Sequence, residues 1–205
     1  MTMRNKAKKS PVALAVLALL FEEPMHPYRM WQLIKERSKD EVVNVRYRNT
    51  LYQTIDRLVR DELISKKETR KEDNRPEQTL YQLTGRGRET ALSWMRQMLA
   101  EPADEFPEFP VALAYLPMLS VEEVITLLGK RLEKLDAEKI RIEKQITPVQ
   151  DKIPRLFLLE MEFILAKLQS EIKWVRALLD DLNEGTIYWD EAWLNSILEQ
   201  FKNKP

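Results

Sequence analysis

The side chains best suited to contact with a partner molecule lie on one face of a predicted helix, NTLYQTIDRLVRDEL. Its apolar residues recur at helical spacing, which indicates one stripe turned towards a core. The opposite face carries hydroxyl, amide and guanidinium groups, among them Thr50, Tyr52, Gln53 and Arg57. Such groups hydrogen-bond and carry positive charge, so this face is suited to phosphates and to base edges in a major groove. An ordinary amphipathic helix with a solvated outer face is the alternative interpretation.

Enzymatic chemistry has few candidate residues in this sequence. There is no cysteine, and His26 is the only histidine, which excludes disulfides, thiol nucleophiles and zinc sites with cysteine or histidine ligands. A carboxylate-only metal site is the one kind left open. We expect His26, which precedes Pro27 and Tyr28, to cap or pack at the start of a helix rather than to act as a general base. The sequence therefore predicts no enzyme, no cofactor and no metal.

Two shorter helices are predicted ahead of this surface. The first begins at Pro11, where a missing N–H costs nothing, and ends at Phe21. The second covers about residues 27–38. Asn49 can cap the third helix, which is predicted to end at Leu63.

A two-stranded hairpin is predicted after the third helix, with strands at 63–70 and 78–84 and a charged tip, KEDNRPEQ. A fourth helix follows, at about 84–100. Three helices followed by a hairpin with basic residues at its tip match the plan of a winged helix. The hairpin would carry its cations to the phosphates or the minor groove beside the third helix. The candidate DNA-binding residues are Asn49, Thr50, Tyr52, Gln53, Arg57, Arg70, Lys71 and Arg75.

The two halves of the chain carry opposite charge, although the whole chain has a formal net charge of zero. Residues 1–88 hold 19 Lys and Arg against 12 Asp and Glu, and residues 89–205 hold 14 against 21. A basic half beside an acidic half favours contact of the first with a polyanion, although charge also fluctuates along any sequence. The apolar run 12–21 is too short to span a bilayer, which needs roughly twenty residues. We therefore expect a cytoplasmic protein with no membrane partner.

The C-terminal half predicts long packed helices. Ser120 and Glu123 form a capping box for a helix that continues to about Ile146. The next helix carries apolar residues that alternate by three and four, the seam of a coiled coil. A second copy of the chain is the expected partner, and an intrachain helical hairpin in a monomer is the alternative. The predicted dimerisation residues are Leu158, Met161, Leu165, Leu168, Ile172, Val175, Leu179 and Leu182.

Four aromatic residues lie late in the chain: Trp174, Tyr188, Trp189 and Trp193. They could line an effector pocket, but aromatic residues in helices more often pack in a core, so we expect core positions.

Three stretches resemble the PadR-like family of bacterial transcriptional regulators. These are ALAVLALLFEEPMHPY, NTLYQTIDRLVRDELI and NRPEQTLYQLTGRGRE, which together cover about residues 11–92. The family pattern has glycine where this chain has Pro27, Asn49, Glu62 and Asn74. The stretch FPVALAYLPMLSVEEVITLLGKRLEKL also resembles the helical C-terminal domain of the family.

The resemblance implies a homodimer that binds an inverted-repeat operator in double-stranded DNA. Thr50, Tyr52, Gln53 and Arg57 would lie on the DNA-contacting helix and Arg75 in the wing. Repression by occlusion of a promoter, relieved by a small phenolic-type effector, is the expected mechanism. A transcriptional activator of the same family, or a coiled-coil interaction module whose winged helix does not bind DNA, are the alternatives.

The expected fold is therefore mainly α, an N-terminal winged helix-turn-helix of three helices plus a β-hairpin wing, followed by a coiled-coil-like dimerisation domain. The predicted boundaries are a basic arm at 1–10, the DNA-binding domain at 11–100, a linker at 101–119 and the dimerisation domain at 120–205.

Overall fold

The computed structural model describes residues 8–70 and 78–202. The chain divides into two compact units, Met1–Asp104 and Glu105–Pro205. The helices and strands are α1 (Pro11–Glu22), α2 (Pro27–Glu36), α3 (Arg48–Arg60), β1 (Ile64–Arg70), β2 (Gln78–Leu83), α4 (Gly85–Ala100), α5 (Glu108–Ala114), α6 (Val121–Ile146), α7 (Leu159–Asn183) and α8 (Glu191–Lys202). This order confirms the predicted winged helix-turn-helix and the helical C-terminal half.

Local capping explains where the helices of the first unit begin. The Ser10 hydroxyl accepts a hydrogen bond from the Ala13 amide at 3.2 Å at the start of α1, and His26 Nδ1 accepts one from the Arg29 amide at 3.3 Å at the start of α2. The capping role predicted for His26 is therefore confirmed. The cap predicted for Asn49 is wrong: α3 begins one residue earlier, and Asn49 lies inside its first turn.

The core of the first unit is built around α1, which is apolar almost throughout. Leu17 of α1, Met30 of α2 and Leu51 and Ile55 of α3 are completely buried or nearly so. The three helices therefore pack around a common centre, and α2 and α3 turn their polar faces outwards.

The end of α3 sets the position of the hairpin. The Leu63 amide donates to the Leu58 carbonyl and the Glu62 amide to the Val59 carbonyl, both at 2.9 Å. This is the Schellman arrangement, in which the residue after the cap adopts a left-handed conformation. Glu62 fills that position with a φ of 60°, where the family pattern has the glycine that suits this conformation. The chain then turns directly into β1.

The hairpin is a two-stranded antiparallel sheet joined to the helices by one further backbone pairing. Met25, between α1 and α2, exchanges two hydrogen bonds with Tyr81 of β2, at 3.1 and 3.0 Å. The register of β1 against β2 shifts between Lys66 and Glu68, which inserts an extra residue, Lys67, into β1.

The second unit contains a helix that the sequence analysis treated as linker. Within 101–119 the chain forms α5 and a short 3-10 turn, Leu116–Met118. Phe109 and Leu113 of α5 pack against the apolar cluster of this unit. Pro110 lies in the first turn of α5, where its missing N–H breaks no helical hydrogen bond. The linker prediction was therefore wrong for this segment.

The predicted coiled-coil seam of α7 is largely covered within the chain. Val175 is completely buried, and Val175 and Leu182 join Val124 and Leu128 of α6 in one apolar cluster. Five of the eight seam residues are buried, namely Leu158, Met161, Ile172, Val175 and Leu182, and Leu165, Leu168 and Leu179 are half-buried. The packing of α6 on α7 matches the intrachain alternative for this stripe.

The late aromatic residues divide into two groups. Trp189 is 8% exposed, and its Nε1 donates to the Leu119 carbonyl at 2.9 Å. Trp174, Tyr188 and Trp193 are each about half exposed, at 49%, 55% and 48%, so the expectation of a core position is confirmed for Trp189 and wrong for the other three. None of the helices within the described ranges has the length and apolar composition needed to cross a bilayer.

Candidate nucleic-acid interface

Three of the predicted contact residues lie on the open face of α3. The side chains of Asn49, Tyr52 and Gln53 are exposed, and Tyr52 is 44% exposed although it stands beside the core. Asp56 and Arg60 continue the same face towards the end of the helix. The face therefore presents amide and phenol groups in its first turns and one charge of each sign further along.

Two other predicted residues of α3 are less accessible. Thr50 is half-buried, and its carbonyl accepts a hydrogen bond from the Thr54 hydroxyl at 2.8 Å. Arg57 is also half-buried, and its Nη2 donates to the Ser10 hydroxyl at 3.1 Å. Arg57 therefore joins α3 to the cap of α1, and its guanidinium already has one partner within the protein.

The start of α3 carries basic and aromatic side chains that the sequence analysis missed. Arg46, Tyr47 and Arg48 are exposed, and Tyr47 is 75% exposed. The Cζ atom of Arg48 lies 4.4 Å from the ring centroid of Trp31 on α2. The alternation of cationic and aromatic residues in RYR, just before the helix, was the available signal.

The wing contributes cations of its own at the helix-proximal end of β1. Lys66 and Lys67 are both exposed, because the extra residue Lys67 breaks the alternation of faces along β1. The predicted residue Arg70 lies at the end of β1, next to Gln78 in the ladder. The predicted residues Lys71 and Arg75 lie outside the described residues.

Tyr81 connects the wing strand electrostatically with α3. Burial raises the pKa of the Tyr81 hydroxyl, and the neighbouring Asp56 carboxylate and the Tyr52 phenol raise it further. A neutral phenol can both donate and accept a hydrogen bond.

The sequence of the first unit matches a known family. Residues 16–92 match the transcriptional regulator PadR-like family, a stretch that begins in α1 and ends in α4. No curated protein matches the chain.

Solved structures of PadR regulators share the fold over most of the chain. PadR from Bacillus subtilis in complex with operator DNA matches with a TM-score of 0.67 at 18% identity, covering 84% of this chain and 99% of that one. The same protein in complex with p-coumaric acid matches with a TM-score of 0.66 at 19% identity, covering 84% and 98%. A PadR-like transcriptional regulator from Bacillus cereus matches with a TM-score of 0.59 at 17% identity, covering 87% and 99%.

These matches confirm two predictions made from the sequence: a PadR-like regulatory domain in the N-terminal half, and the winged-helix fold class. Residues 16–92 therefore carry a domain of the transcriptional regulator PadR-like family, and the chain has the fold of solved PadR regulators over most of its length.

Proposed function

We propose that this protein is a cytoplasmic, homodimeric repressor that binds an inverted-repeat operator through two copies of α3. The observation that carries the proposal is the open face of Asn49, Tyr52 and Gln53 on a winged helix whose fold is shared with an operator-bound relative. Amide groups pair with adenine edges, and a phenol can reach bases or phosphates in a major groove. The exposed cations at the start of α3 and on β1 supply the attraction that does not depend on sequence.

The face of α7 opposite its contact with α6 supports a dimer. Leu159, Phe163 and Trp174 are 45%, 66% and 49% exposed. At roughly 100° per residue they fall within about 60° of arc, on the side opposite the covered seam. The small exposed residues Ala166, Ser170 and Ala177 lie on the same stripe, and we call these six residues the outer stripe of α7.

A second copy of the chain is the proposed occupant of the outer stripe. Each large apolar side chain removed from water contributes roughly 1.5–3 kcal/mol, and small residues between them allow two helices to approach closely. A single recognition helix reads few base pairs, whereas two copies about one helical turn apart read a palindrome. Dimerisation through this stripe replaces the earlier hypothesis that used the seam, because the seam residues are already buried or half-buried within the chain.

Sedimentation velocity tests the dimer. The wild-type protein should sediment at twice the 24.3 kDa chain mass at micromolar concentration, and Phe163→Glu should sediment at the mass of one chain, because it buries a charge in the stripe. Gln169→Glu adds the same charge at an exposed site of α7 away from the stripe and should remain dimeric. A wild-type monomer, or a dimeric Phe163→Glu protein, would remove the stripe from the proposal.

Fluorescence anisotropy with DNA from upstream of the protein's own gene tests operator binding. Affinity should fall steeply as salt rises and should exceed that for a scrambled duplex at every salt concentration. Gln53→Ala and Tyr52→Phe should each weaken the preference for the operator by roughly five- to a hundredfold, the loss typical of one base contact. Gln97→Ala removes an exposed amide from α4 and should bind as the wild type does.

The outcomes of this experiment separate the competing functions. Weak binding that is indifferent to sequence would favour an interaction module whose winged helix does not read DNA. Specific binding with unchanged affinity in both α3 variants would mean that other residues read the operator. A reporter driven by the bound promoter then distinguishes repression, in which deletion of the regulator raises expression, from activation, in which it lowers expression.

A small phenolic acid is the proposed effector, since a relative of the same fold was solved with p-coumaric acid. The first unit contains an apolar cavity of about 390 Å³ between α1, α2 and α4. Leu14, Leu33 and Met95 are among its walls, and Arg37 is one of its few charged residues. A flat apolar acid would place its ring among the walls, and its carboxylate would share the Arg37 guanidinium with Glu22, which pairs with it at 2.5 and 2.9 Å.

Calorimetry with p-coumaric acid, followed by operator binding in its presence, tests the effector. The acid should bind the wild-type protein and reduce its affinity for the operator. Such a reduction requires that the acid binds the free protein more tightly than it binds the operator-bound protein. Ala18→Trp, which fills the cavity from its exposed rim, should abolish both effects, whereas Ala100→Trp on α4 should leave them intact. Binding that leaves operator affinity unchanged would exclude this acid as an effector.

A further inference from the structure

Arg48 lies against two aromatic rings of α2. Its Cζ atom is 4.4 Å from the ring centroid of Trp31 and 5.4 Å from that of Tyr28. The two rings are stacked, with centroids 6.3 Å apart and planes 24° apart. We call Tyr28 and Trp31 the aromatic shelf. A guanidinium over such rings is held by a cation–π attraction that fixes its orientation and leaves its charge uncancelled.

Neighbouring arginines are held in a different way. On α2, Arg29 pairs with Glu36 at 3.1 Å, and just beyond it Arg37 makes two hydrogen bonds with Glu22, at 2.5 and 2.9 Å. Within residues 8–70 and 78–202, no carboxylate forms an ion pair with Arg48. Arg48 is therefore both oriented and uncompensated, a combination that these two arginines lack.

The direction of the free hydrogen-bond donors follows from the chemistry of the group. All five N–H bonds of a guanidinium lie in its plane. A ring packed against the face of that plane leaves its edges open to an oxyanion, which they can bind with two parallel hydrogen bonds. Arg48 is exposed and immediately precedes Asn49, the first residue of the proposed DNA-reading face.

We propose that Arg48 binds a phosphate of the DNA backbone and that the aromatic shelf holds it ready to do so. This inference rests on the proposed function, because it adds a contact to the same interface. It assigns Arg48 to positioning of the protein on the duplex, since phosphate contacts carry no direct sequence information. The rings of Trp31 and Tyr28 act only through Arg48.

The number of phosphates neutralised can be counted from the salt dependence of binding. Each phosphate contact on duplex DNA contributes about 0.9 to the slope of log affinity against log salt concentration. Arg48→Ala should therefore lower the slope by about 0.9 for each subunit bound. At 150 mM salt this corresponds to a loss of roughly fivefold per subunit, equal for the operator and for a scrambled duplex.

The shelf is tested with Tyr28→Ala, because Tyr28 is exposed whereas Trp31 packs against the core. This variant keeps the Arg48 charge but removes one ring. The slope should stay as in the wild type while affinity falls roughly two- to fivefold. In the double variant, Tyr28→Ala should cause no loss beyond that of Arg48→Ala, because the ring has no cation left to orient.

Arg29→Ala is the matched control. It removes one positive charge from α2, but from a guanidinium already paired with Glu36, so the slope should change by much less than 0.9. In thermal melting by circular dichroism, Arg48→Ala should unfold cooperatively, with a midpoint lowered by no more than the roughly 2–8 °C that loss of one exposed cation–π contact costs, which separates loss of a contact from loss of the fold.

Each outcome decides one point. A wild-type protein with no operator preference defeats the proposed function rather than this inference. Specific wild-type binding with an unchanged slope in Arg48→Ala overturns the inference. A loss confined to the operator also overturns it, because Arg48 would then read bases. Equal, additive losses from Arg48→Ala and Tyr28→Ala would reduce the shelf to a structural contact between α2 and α3.

Discussion

Gly87 in the first turn of α4 allows a very close approach between helix and strand. A Cβ atom built on Gly87 would lie 1.9 Å from the carbonyl oxygen of Leu63 and 2.9 Å from Cδ1 of Leu83. That carbonyl also accepts hydrogen bonds from the Thr84 amide at 3.1 Å and from the Thr84 hydroxyl at 2.9 Å. Gly87→Ala must therefore separate α4 from the start of β1.

The cost can be worked from these contacts. The Leu63 carbonyl must move by roughly 1.5 Å to reach an ordinary packing distance, and such overpacking of a close-packed interior costs about 1–3 kcal/mol. The two hydrogen bonds to Thr84 contribute about 0.5–1.5 kcal/mol each and are lost or lengthened in the same movement. Gly87→Ala should destabilise the first unit by about 3–5 kcal/mol, a large part of the stability of a small domain.

Thermal and urea denaturation followed by circular dichroism measure this effect. For a unit of this size, 1 kcal/mol corresponds to roughly 4–8 °C, so the melting temperature should fall by at least about 12 °C. Gly85→Ala is the matched control in the same turn, since nothing lies within 4 Å of its Cβ position. It should leave stability unchanged or raise it by up to about 1 kcal/mol. A Gly87→Ala protein as stable as the Gly85→Ala protein would refute the argument from close approach.

Three further substitutions test other features of the fold. Glu62→Gly should stabilise the first unit by about 1 kcal/mol in urea denaturation, because a left-handed conformation strains any residue with a Cβ atom. Glu22→Gln should remove a small loss of stability on acidification. The hydrogen bond from Arg37 lowers the pKa of the Glu22 carboxyl below its ordinary 4.5, so the pair stabilises the fold above pH 4.5 and ceases to do so as the pH falls through the lowered pKa. Melting curves between pH 3 and 7 would detect this loss. Trp189→Phe should destabilise the second unit by about 1–3 kcal/mol, measured by urea denaturation, since the Leu119 carbonyl loses its donor.

Periodicity was enough to predict most of the first unit. The stripe of α3 that includes Leu51 and Ile55 is buried as predicted, because helical spacing determines which residues share a face. The error at Asn49 has a local cause. A cap needs an extended backbone, which Tyr47 adopts although its side chain accepts no capping hydrogen bond, so residue preference misplaced the boundary.

The C-terminal half shows what periodicity leaves undetermined. The apolar pattern of α7 predicts that residues such as Val175 are buried, but it does not predict which helix covers them. In the structure Val175 packs in one cluster with residues of α6. The outer stripe was overlooked because Ala166 and Ser170 dilute the apolar pattern around Phe163. The segment 101–119 was predicted as a linker, although Pro110 is tolerated in the first turn of α5.

The residues of the candidate interface could be predicted where they share one helix, but not where their position depends on a contact between two elements. Tyr52 and Gln53 follow from the spacing of α3. The position of Arg48 on the ring of Trp31 depends on a contact between residues 17 positions apart, which no pattern within either helix encodes. The exposure of Lys67 depends in the same way on a register shift between two strands.

The Arg57 guanidinium donates a hydrogen bond to the Ser10 hydroxyl, and a DNA phosphate would compete with that hydroxyl for the same donor. A phosphate that draws Nη2 of Arg57 away from the Ser10 hydroxyl would leave the first turn of α1 with its cap but without this link to α3. Thermodynamic reciprocity then requires that whatever strengthens the hydrogen bond between Arg57 and Ser10 weakens such a phosphate contact, and that the phosphate contact weakens this hydrogen bond by the same free energy.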